Sequence, residues 1–406
     1  MAPEIVLDAI DGMSRTVNLL DPMMGSGTVL AIGRSAGHRV IGVDSDPLAV
    51  LLARVWTTTV DSSVVRDKAV DVLERAKNLF RTISSGDAYP RAKDAETRKF
   101  VRYWFDEYAR RQLAALAATI SRVRDPDIRD VLWCGFSRLI ITKQAGASLA
   151  MDLSHSRPHK TFTRAPVKPF RKFIAAVETV VTNCPQVSNG KVGPRARVMN
   201  GDARQLRIST NSIDLVVTSP PYLNAIDYLR CSKFTLVWMG YTIKELRKIR
   251  TDNIGAESSH AEAETARWIK RTIIRLRLRP GLQSREQRLL SRYIWDMNLA
   301  IGETARVLRH GGRAIYVVGD STVRGTFIRN SQIVDSLAKR HGLSLVTRRS
   351  RRLRPNRRYL PPPVRSEDNA LDTRMRREVI MEFRKKRNSR TSSSSSQLVA
   401  SKPKRS

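Results

Sequence analysis

Short apolar runs alternate along the chain with longer stretches of helical period. Residues 3–11 read as a short helix. Val17 to Leu20 is an apolar run that stops at Asp21. Pro22-Met23-Met24-Gly25-Ser26-Gly27-Thr28 follows, then a helical stretch from Val29: strand, glycine-rich turn, helix. Arg39 to Val43 reads as a second strand, ending on Asp44, so the two strands and their helix make a right-handed βαβ unit of a parallel sheet. Asp46-Pro47 opens another helix. From about Ser62 to Gly193 the pattern is helical and charged, with amphipathic stretches at Phe100–Arg124 and Ile128–Lys143. A segment of that length is an insertion rather than a loop.

Strand-like runs resume at Arg197–Met199, followed by Asn200-Gly201-Asp202-Ala203, and at Ile213–Val217, which leads straight into Thr218-Ser219-Pro220-Pro221-Tyr222. A helix is expected over about Ala225–Met239 and a second, very basic helical insertion over Tyr241–Arg292. Ala300–Leu308 is helical and stops at Gly311-Gly312. Ala314–Val318 is a strand ending on Gly319-Asp320-Ser321, Ser331–His341 a helix, and Leu343–Thr347 and Glu378–Phe383 the last two strands. The expected organisation is therefore an α/β domain in three parts (1–61, 194–240 and 293–383), interrupted by a helical insertion at 62–193 and a basic one at 241–292. A basic tail at 384–406, with a polyserine run, is expected to be disordered.

Composition narrows the function. A chain of 406 residues with 41% hydrophobic content can bury a substantial core. No apolar run reaches the length of a membrane span, and no secretory signal opens the sequence. The three cysteines, Cys134, Cys184 and Cys231, lie too far apart for a disulfide framework or a Cys-rich zinc site, which suits a reducing cytoplasm. His155 and His159 have a spacing that suits a metal on a helix, but Arg157-Pro158 between them argues for a loop; no metal is expected. The net charge of +35 points to a polyanionic partner. Part of that charge sits in the tail, yet arginines persist around Trp268–Arg292 and Arg348–Arg358, so nucleic acid is the expected partner.

Asp21, Asp44, Asp202, Ser219 and Asp320 each follow a predicted strand. An open parallel sheet binds ligands beyond the carboxyl ends of its strands, so these scattered residues should converge on one edge. Turn preference alone explains any one of them, and explains the set of five less well. Gly25-Ser26-Gly27 lets the backbone approach a ligand, and the helix start beyond it offers free N–H groups. The dinucleotide spacing G-x-G-x-x-G and the P-loop lysine are both missing, which disfavours nicotinamide enzymes and NTPases. S-adenosylmethionine needs a turn for its methionine part, an acid for its ribose diol and a polar group near its adenine. Asp21, Pro22, Gly25, Ser26, Gly27 and Thr28 meet the first need, Asp44 with Ser45 the second, and Asp202 with Ala203 the third.

Ser219-Pro220-Pro221-Tyr222 suits an exocyclic amine as acceptor. Such an amine is a poor nucleophile because its lone pair is delocalised into the ring. The Ser219 hydroxyl oxygen and the Pro220 carbonyl can accept both amine hydrogens and aim the lone pair at a methyl group. The prolines stiffen the loop, and Tyr222 offers a face for a flipped base. No cysteine stands beside the loop, which disfavours covalent attack on a pyrimidine ring.

Asp21-Pro22-x-x-Gly25-Ser26-Gly27-Thr28 together with Thr218-Ser219-Pro220-Pro221-Tyr222 resembles the S-adenosylmethionine-dependent amino-group DNA methyltransferases of the N4-cytosine/N6-adenine type. Ala147-Ser148-Leu149-Ala150-Met151-Asp152 with Ser154-His155-Ser156-Arg157-Pro158, then Ala225-Ile226-Asp227-Tyr228, and Arg357-Arg358-Tyr359-Leu360-Pro361-Pro362 resemble a bacterial subgroup. The resemblance spans most of residues 17 to 383. It implies a Rossmann-like class I methyltransferase fold with a mostly parallel seven-stranded sheet, S-adenosyl-L-methionine as cofactor, double-stranded DNA with a flipped base as substrate, and a bacterial, nucleoid-associated enzyme with a companion restriction endonuclease as an open question. Serine at 219 resembles the N4-cytosine enzymes, whereas Asp or Asn is usual in the N6-adenine ones.

Two features depart from the family pattern. Met23 stands where an aromatic residue usually follows Asp-Pro. Only some sixteen residues precede the first strand, so a segment that usually helps enclose the methionine part is expected to be mostly missing. Further candidates have two readings each. Asp227 and Tyr228 line the base pocket or pack a helix on the sheet, Asp320 faces the base or caps a turn, and Arg157 contacts phosphate or a structural carboxylate. An N6-adenine enzyme, an RNA amino-group methyltransferase and an inactive DNA-binding homologue stay open as alternatives.

Overall fold

The structure, a computed structural model, describes residues 1–90, 94–143, 145–153, 158–185, 194–223, 229–255, 266–278, 282–323, 326–352 and 377–386, with backbone only at 321–323 and 326. Its framework is a seven-stranded sheet. In chain order the strands are β1 (Asn18–Asp21), β2 (Arg39–Asp44), β5 (Arg197–Asn200), β6 (Ile213–Thr218), β7 (Leu308–Gly319), β10 (Leu343–Arg352) and β11 (Arg377–Lys385). Two short hairpins, β3 (Ala150–Met151) with β4 (His159–Lys160) and β8 (Ser321–Val323) with β9 (Thr326–Ile328), lie outside it. The spatial order is β10-β11-β7-β6-β1-β2-β5, with β11 antiparallel to both neighbours and the other pairings parallel. This is a mostly parallel, Rossmann-like α/β fold with the seven-stranded sheet that the resemblance implied.

The central strands read as continuous apolar runs because both faces are covered. On one face Leu19, Leu215, Val217, Ile315 and Val317 pack against α1 (Pro3–Ile10), α2 (Thr28–Ser35) and α3 (Pro47–Thr57). On the other, Leu20, Val216, Ala314, Tyr316 and Phe383 pack against α11 (Arg267–Arg275), α12 (Ser284–Val307) and α13 (Asn330–Arg340). Each strand's side chains alternate between these two layers, as a pleat requires. A third apolar cluster packs further helices together with α3: α4 (Ser62–Thr82), α5 (Ala95–Trp104), α6 (Glu107–Ile120), α7 (Pro126–Ile140), α8 (Pro169–Asn183), α9 (Leu229–Leu236) and α10 (Ile243–Asp252).

Several expectations need correction. The stretch Phe100–Arg124 is two helices, broken at Phe105-Asp106, because the Asp106 carboxylate accepts the Ala109 N–H and caps α6. The helix expected over Ala225–Met239 is described as α9, with 224–228 outside the described residues. The helix expected at Ala300 begins sixteen residues earlier, at Ser284, so the boundary drawn after residue 292 falls inside α12. Strand β7 starts at Leu308, ahead of Gly311-Gly312, with Gly311 at φ +79° and the register against β6 shifted between Ile213 and Leu215. Arg384 and Lys385 belong to β11 rather than to a tail, and the tail beyond Lys386 lies outside the described residues.

Candidate active site

Strands β1 and β6 are neighbours, with Leu20 opposite Val216, so the glycine turn and the Ser-Pro-Pro-Tyr loop leave the sheet side by side. A buried hydrogen bond joins them: Thr218 Oγ1 donates to Asp21 Oδ1 at 2.7 Å, and Met23 N donates to the same oxygen at 3.1 Å. Gly25 and Gly27 take positive φ, +51° and +84°, and a Cβ on Gly27 would stand 2.8 Å from that of Ala53. The turn therefore requires a glycine at 27 and favours one at 25. Thr28 begins α2, so the free N–H groups of that helix face the same turn.

Strand β2 delivers Asp44. Its Oδ2 accepts Gly25 N at 2.9 Å and its Oδ1 accepts Asp46 N at 2.9 Å, which ties the second strand end to the glycine turn. Ser45 Oγ donates to Asn253 Oδ1 at 2.9 Å, and Asn200 Nδ2 reaches the Asp44 and Ser45 carbonyls. Asp46 caps α3 and accepts from Ser232 Oγ at 2.9 Å. Three carboxylates thus gather at the ends of β1 and β2. Burial pushes Asp21 up to about 7 and Asp46 to about 6, and raises Asp44 as well. A buried acidic cluster of this kind suits a cationic ligand, whose charge offsets the desolvation of the carboxylates.

The Ser-Pro-Pro-Tyr loop has its own anchor. Ser219 Oγ donates to the Val317 carbonyl at 3.1 Å and lies 3.2 Å from the Tyr222 hydroxyl. With its proton directed at Val317, the Ser219 oxygen keeps lone pairs for a donor. Pro220 is buried, while Ser219, Pro221 and Tyr222 are half-buried at the edge. Tyr222 also packs on the apolar layer formed with α12.

Asp202 and Asp320 follow the carboxyl ends of β5 and β7, as expected, but each has a structural partner. Asp202 is held by Arg204 through Nε at 3.0 Å and Nη2 at 2.7 Å, and Ala203 beside it is buried. Arg204 also bonds Asp296, which is fully buried and accepts from Arg292 at 2.6 Å and from Gly255 N at 3.0 Å. Asp320 accepts Ser331 N at 2.9 Å and thereby anchors the start of α13. The structure therefore brings Asp21, the glycine turn, Asp44, Ser219 and Tyr222 together, with Asp202 and Asp320 on the flanks. Arg157, Asp227 and Tyr228 lie outside the described residues, as do His155 and the Arg357–Pro362 motif. Among the described residues, no group of three His, Cys, Asp or Glu side chains could hold a metal, and no helix is long and apolar enough to cross a membrane.

Sequence reasoning missed Arg204, Asp296, Arg292 and Asn253. Only Arg204, two residues beyond Asp202, carried a signal; Asp296 is a mid-helix acid like many others until the fold buries it.

Fold and site together define an open α/β domain with a glycine turn and a Ser-Pro-Pro-Tyr loop on neighbouring strand ends. No family model matches the chain. In sequence it is similar to the Type II methyltransferase M.MvaI of Kocuria varians, 23% identical over 347 residues, covering 80% of this chain and 75% of that protein. Among solved structures it aligns with a TehB-like SAM-dependent methyltransferase from Corynebacterium glutamicum, 12% identical, with a TM-score of 0.31, covering 95% of this chain and 87% of the other. It also aligns with a candidate DNA modification methylase from Thermus thermophilus in complex with S-adenosyl-L-methionine, 18% identical, with a TM-score of 0.24, covering 48% of this chain and 54% of that one.

Proposed function

We propose that this chain is an S-adenosylmethionine-dependent DNA methyltransferase that modifies an exocyclic amino group, N4 of cytosine. The observation that carries the reading is the acceptor loop: Ser219 commits its proton to Val317, and Thr218 ties the loop to Asp21 in the glycine turn. The sequence similarity to a Type II methyltransferase supports DNA as the substrate. Serine at 219 supports cytosine through the family resemblance.

In this reading S-adenosylmethionine supplies an electrophilic methyl group on a positively charged sulfur. Asp21, Asp44 and the turn Pro22 to Thr28 bind it, Ser45 positions that edge, and Asp202 with Ala203 borders the adenine. Ser219 Oγ and the Pro220 carbonyl accept the hydrogens of the base amine and turn its lone pair toward the methyl carbon. Pro221 stiffens the loop, and Tyr222 stacks on the flipped base, worth roughly 1–3 kcal/mol. Most of the acceleration comes from proximity and orientation. The basic segment 241–292 serves as a DNA-contacting insertion.

Ser219→Ala and Tyr222→Ala should leave cofactor affinity within about twofold and lower methyl transfer roughly 30-fold or more, by removing contacts made mainly in the transition state. Tritium transfer to DNA and to RNA, followed by identification of the modified nucleoside, checks substrate and base. Unchanged turnover in both variants refutes the site. N6-methyladenine as the product refutes the cytosine assignment, and preferential labelling of RNA refutes DNA as substrate.

A further inference from the structure

We infer that the cleft between the end of α11, the β8–β9 hairpin, α13 and β10 binds the sugar–phosphate backbone of DNA beside the acceptor site. The inference rests on the DNA reading above. The cleft has a volume of about 630 Å³, and Arg275, Arg277, Arg329, Arg348, Lys339 and Phe327 line it. These residues come from four separate segments, so the charge concentration is a product of the fold.

Among the described residues, most of these charges meet no carboxylate. Asp335 is the one carboxylate on the described lining, and Lys339 occupies it at 2.8 Å. Arg275 bonds the Ser336 hydroxyl, and Arg348 bonds the Ser331 hydroxyl at 2.9 Å; neither meets a carboxylate among the described residues. Arg277 and Arg329 are exposed, and their side chains make no hydrogen bond or ion pair among the described residues. Surface arginines elsewhere are often neutralised, as Arg66 is by Glu178 and Arg309 by Asp214, each at 2.7 Å. Four guanidinium groups facing one cleft repel one another, and a polyanion relieves that repulsion. Guanidinium forks match phosphate oxygens in geometry as well as charge.

Two further features favour a nucleic-acid strand over a small anion. Phe327 is 57% exposed beside the cations and offers a flat apolar face to a base or sugar. The cleft also connects to the acceptor edge: Ser331, which takes the Arg348 bond, is held by Asp320 at the end of β7, and β7 pairs with β6, which leads into Ser219.

The test uses the full chain with Arg277→Gln and Arg329→Gln combined, since neither side chain has a partner among the described residues. Binding to a fluorescent duplex is measured by anisotropy across a salt series, without cofactor. Losing two phosphate contacts should lower the slope of log K against log salt by about 1.8 and weaken binding roughly tenfold at low salt, with the melting temperature unchanged. Phe327→Ala should weaken binding without changing the slope. A double variant that keeps the parent's affinity and slope overturns the cleft, even if the parent methylates DNA. A lost slope in a protein that transfers no methyl group to DNA leaves the cleft standing and refutes the methyltransferase reading. Tighter binding to RNA, with the same slope loss, overturns DNA as the occupant.

Discussion

Replacing Asp21 by asparagine separates the stability cost of the acidic cluster from its use. The Asp21 side chain is buried, and one oxygen, Oδ1, accepts both Thr218 Oγ1 and Met23 N. An asparagine carbonyl keeps both bonds while removing the charge. Burial raises the folded-state pKa of Asp21 from 3.8 to about 7, so the folded protein holds a proton that the unfolded chain releases between those values. This carboxyl's contribution to stability is fully favourable only below the unfolded value of 3.8, and is lost as pH rises toward about 7. At about 1.4 kcal/mol per tenfold change in proton affinity, the loss between pH 5 and pH 8 is roughly 2.5 kcal/mol. With an unfolding entropy of about 2.1 cal/mol/K per residue, that is about 3 °C of melting temperature for a chain of this length. Ligand-free Asp21→Asn should therefore gain about 3 °C on the parent between pH 5 and pH 8 in a calorimetric melt. On the proposed reading, the same variant should also bind S-adenosylmethionine more weakly, because the buried acidic cluster loses a carboxylate. An asparagine variant whose melting temperature follows the parent's at both pH values refutes the argument.

Gly27→Ala should destabilise the protein by about 2 kcal/mol or more, because a left-handed backbone conformation and the contact with Ala53 add. Gly12→Ala is the control: its φ is also positive, at +68°, with nothing within 4 Å of the added Cβ, so urea unfolding should read only about 1 kcal/mol there. Asp296→Asn should cost about 3–5 kcal/mol in the same assay, since Arg204 and the buried Arg292 would lose their shared carboxylate. A cost under about 1 kcal/mol would show that water reaches those guanidinium groups.

The candidate site was legible where local chemistry signals position. Apolar runs mark the strands because both sheet faces are covered. Asp21, Asp44, Asp202, Ser219 and Asp320 mark strand ends because polar residues begin where the chain leaves the core. Cap chemistry was harder to read: Asp106 ends one helix and starts another inside a stretch whose apolar period never breaks. Beyond Arg204, the network of Asp202 was illegible, since it reaches Asp296, more than ninety residues away, and so was the partner of Asp320, which meets Ser331 only when α13 docks.

By itself, then, the sequence determined where most sheet strands fall along the chain, the glycine turn and the Ser-Pro-Pro-Tyr loop, because apolar period, positive-φ demand and proline stiffness act over a few residues. The tertiary structure decided which loops are neighbours, which carboxylates lose water and which arginines gather at one cleft. Those properties depend on strand order and burial, which join residues that the chain keeps far apart. Thr218 meets Asp21 because β6 pairs with β1, and the arginine cleft exists because four segments close around it.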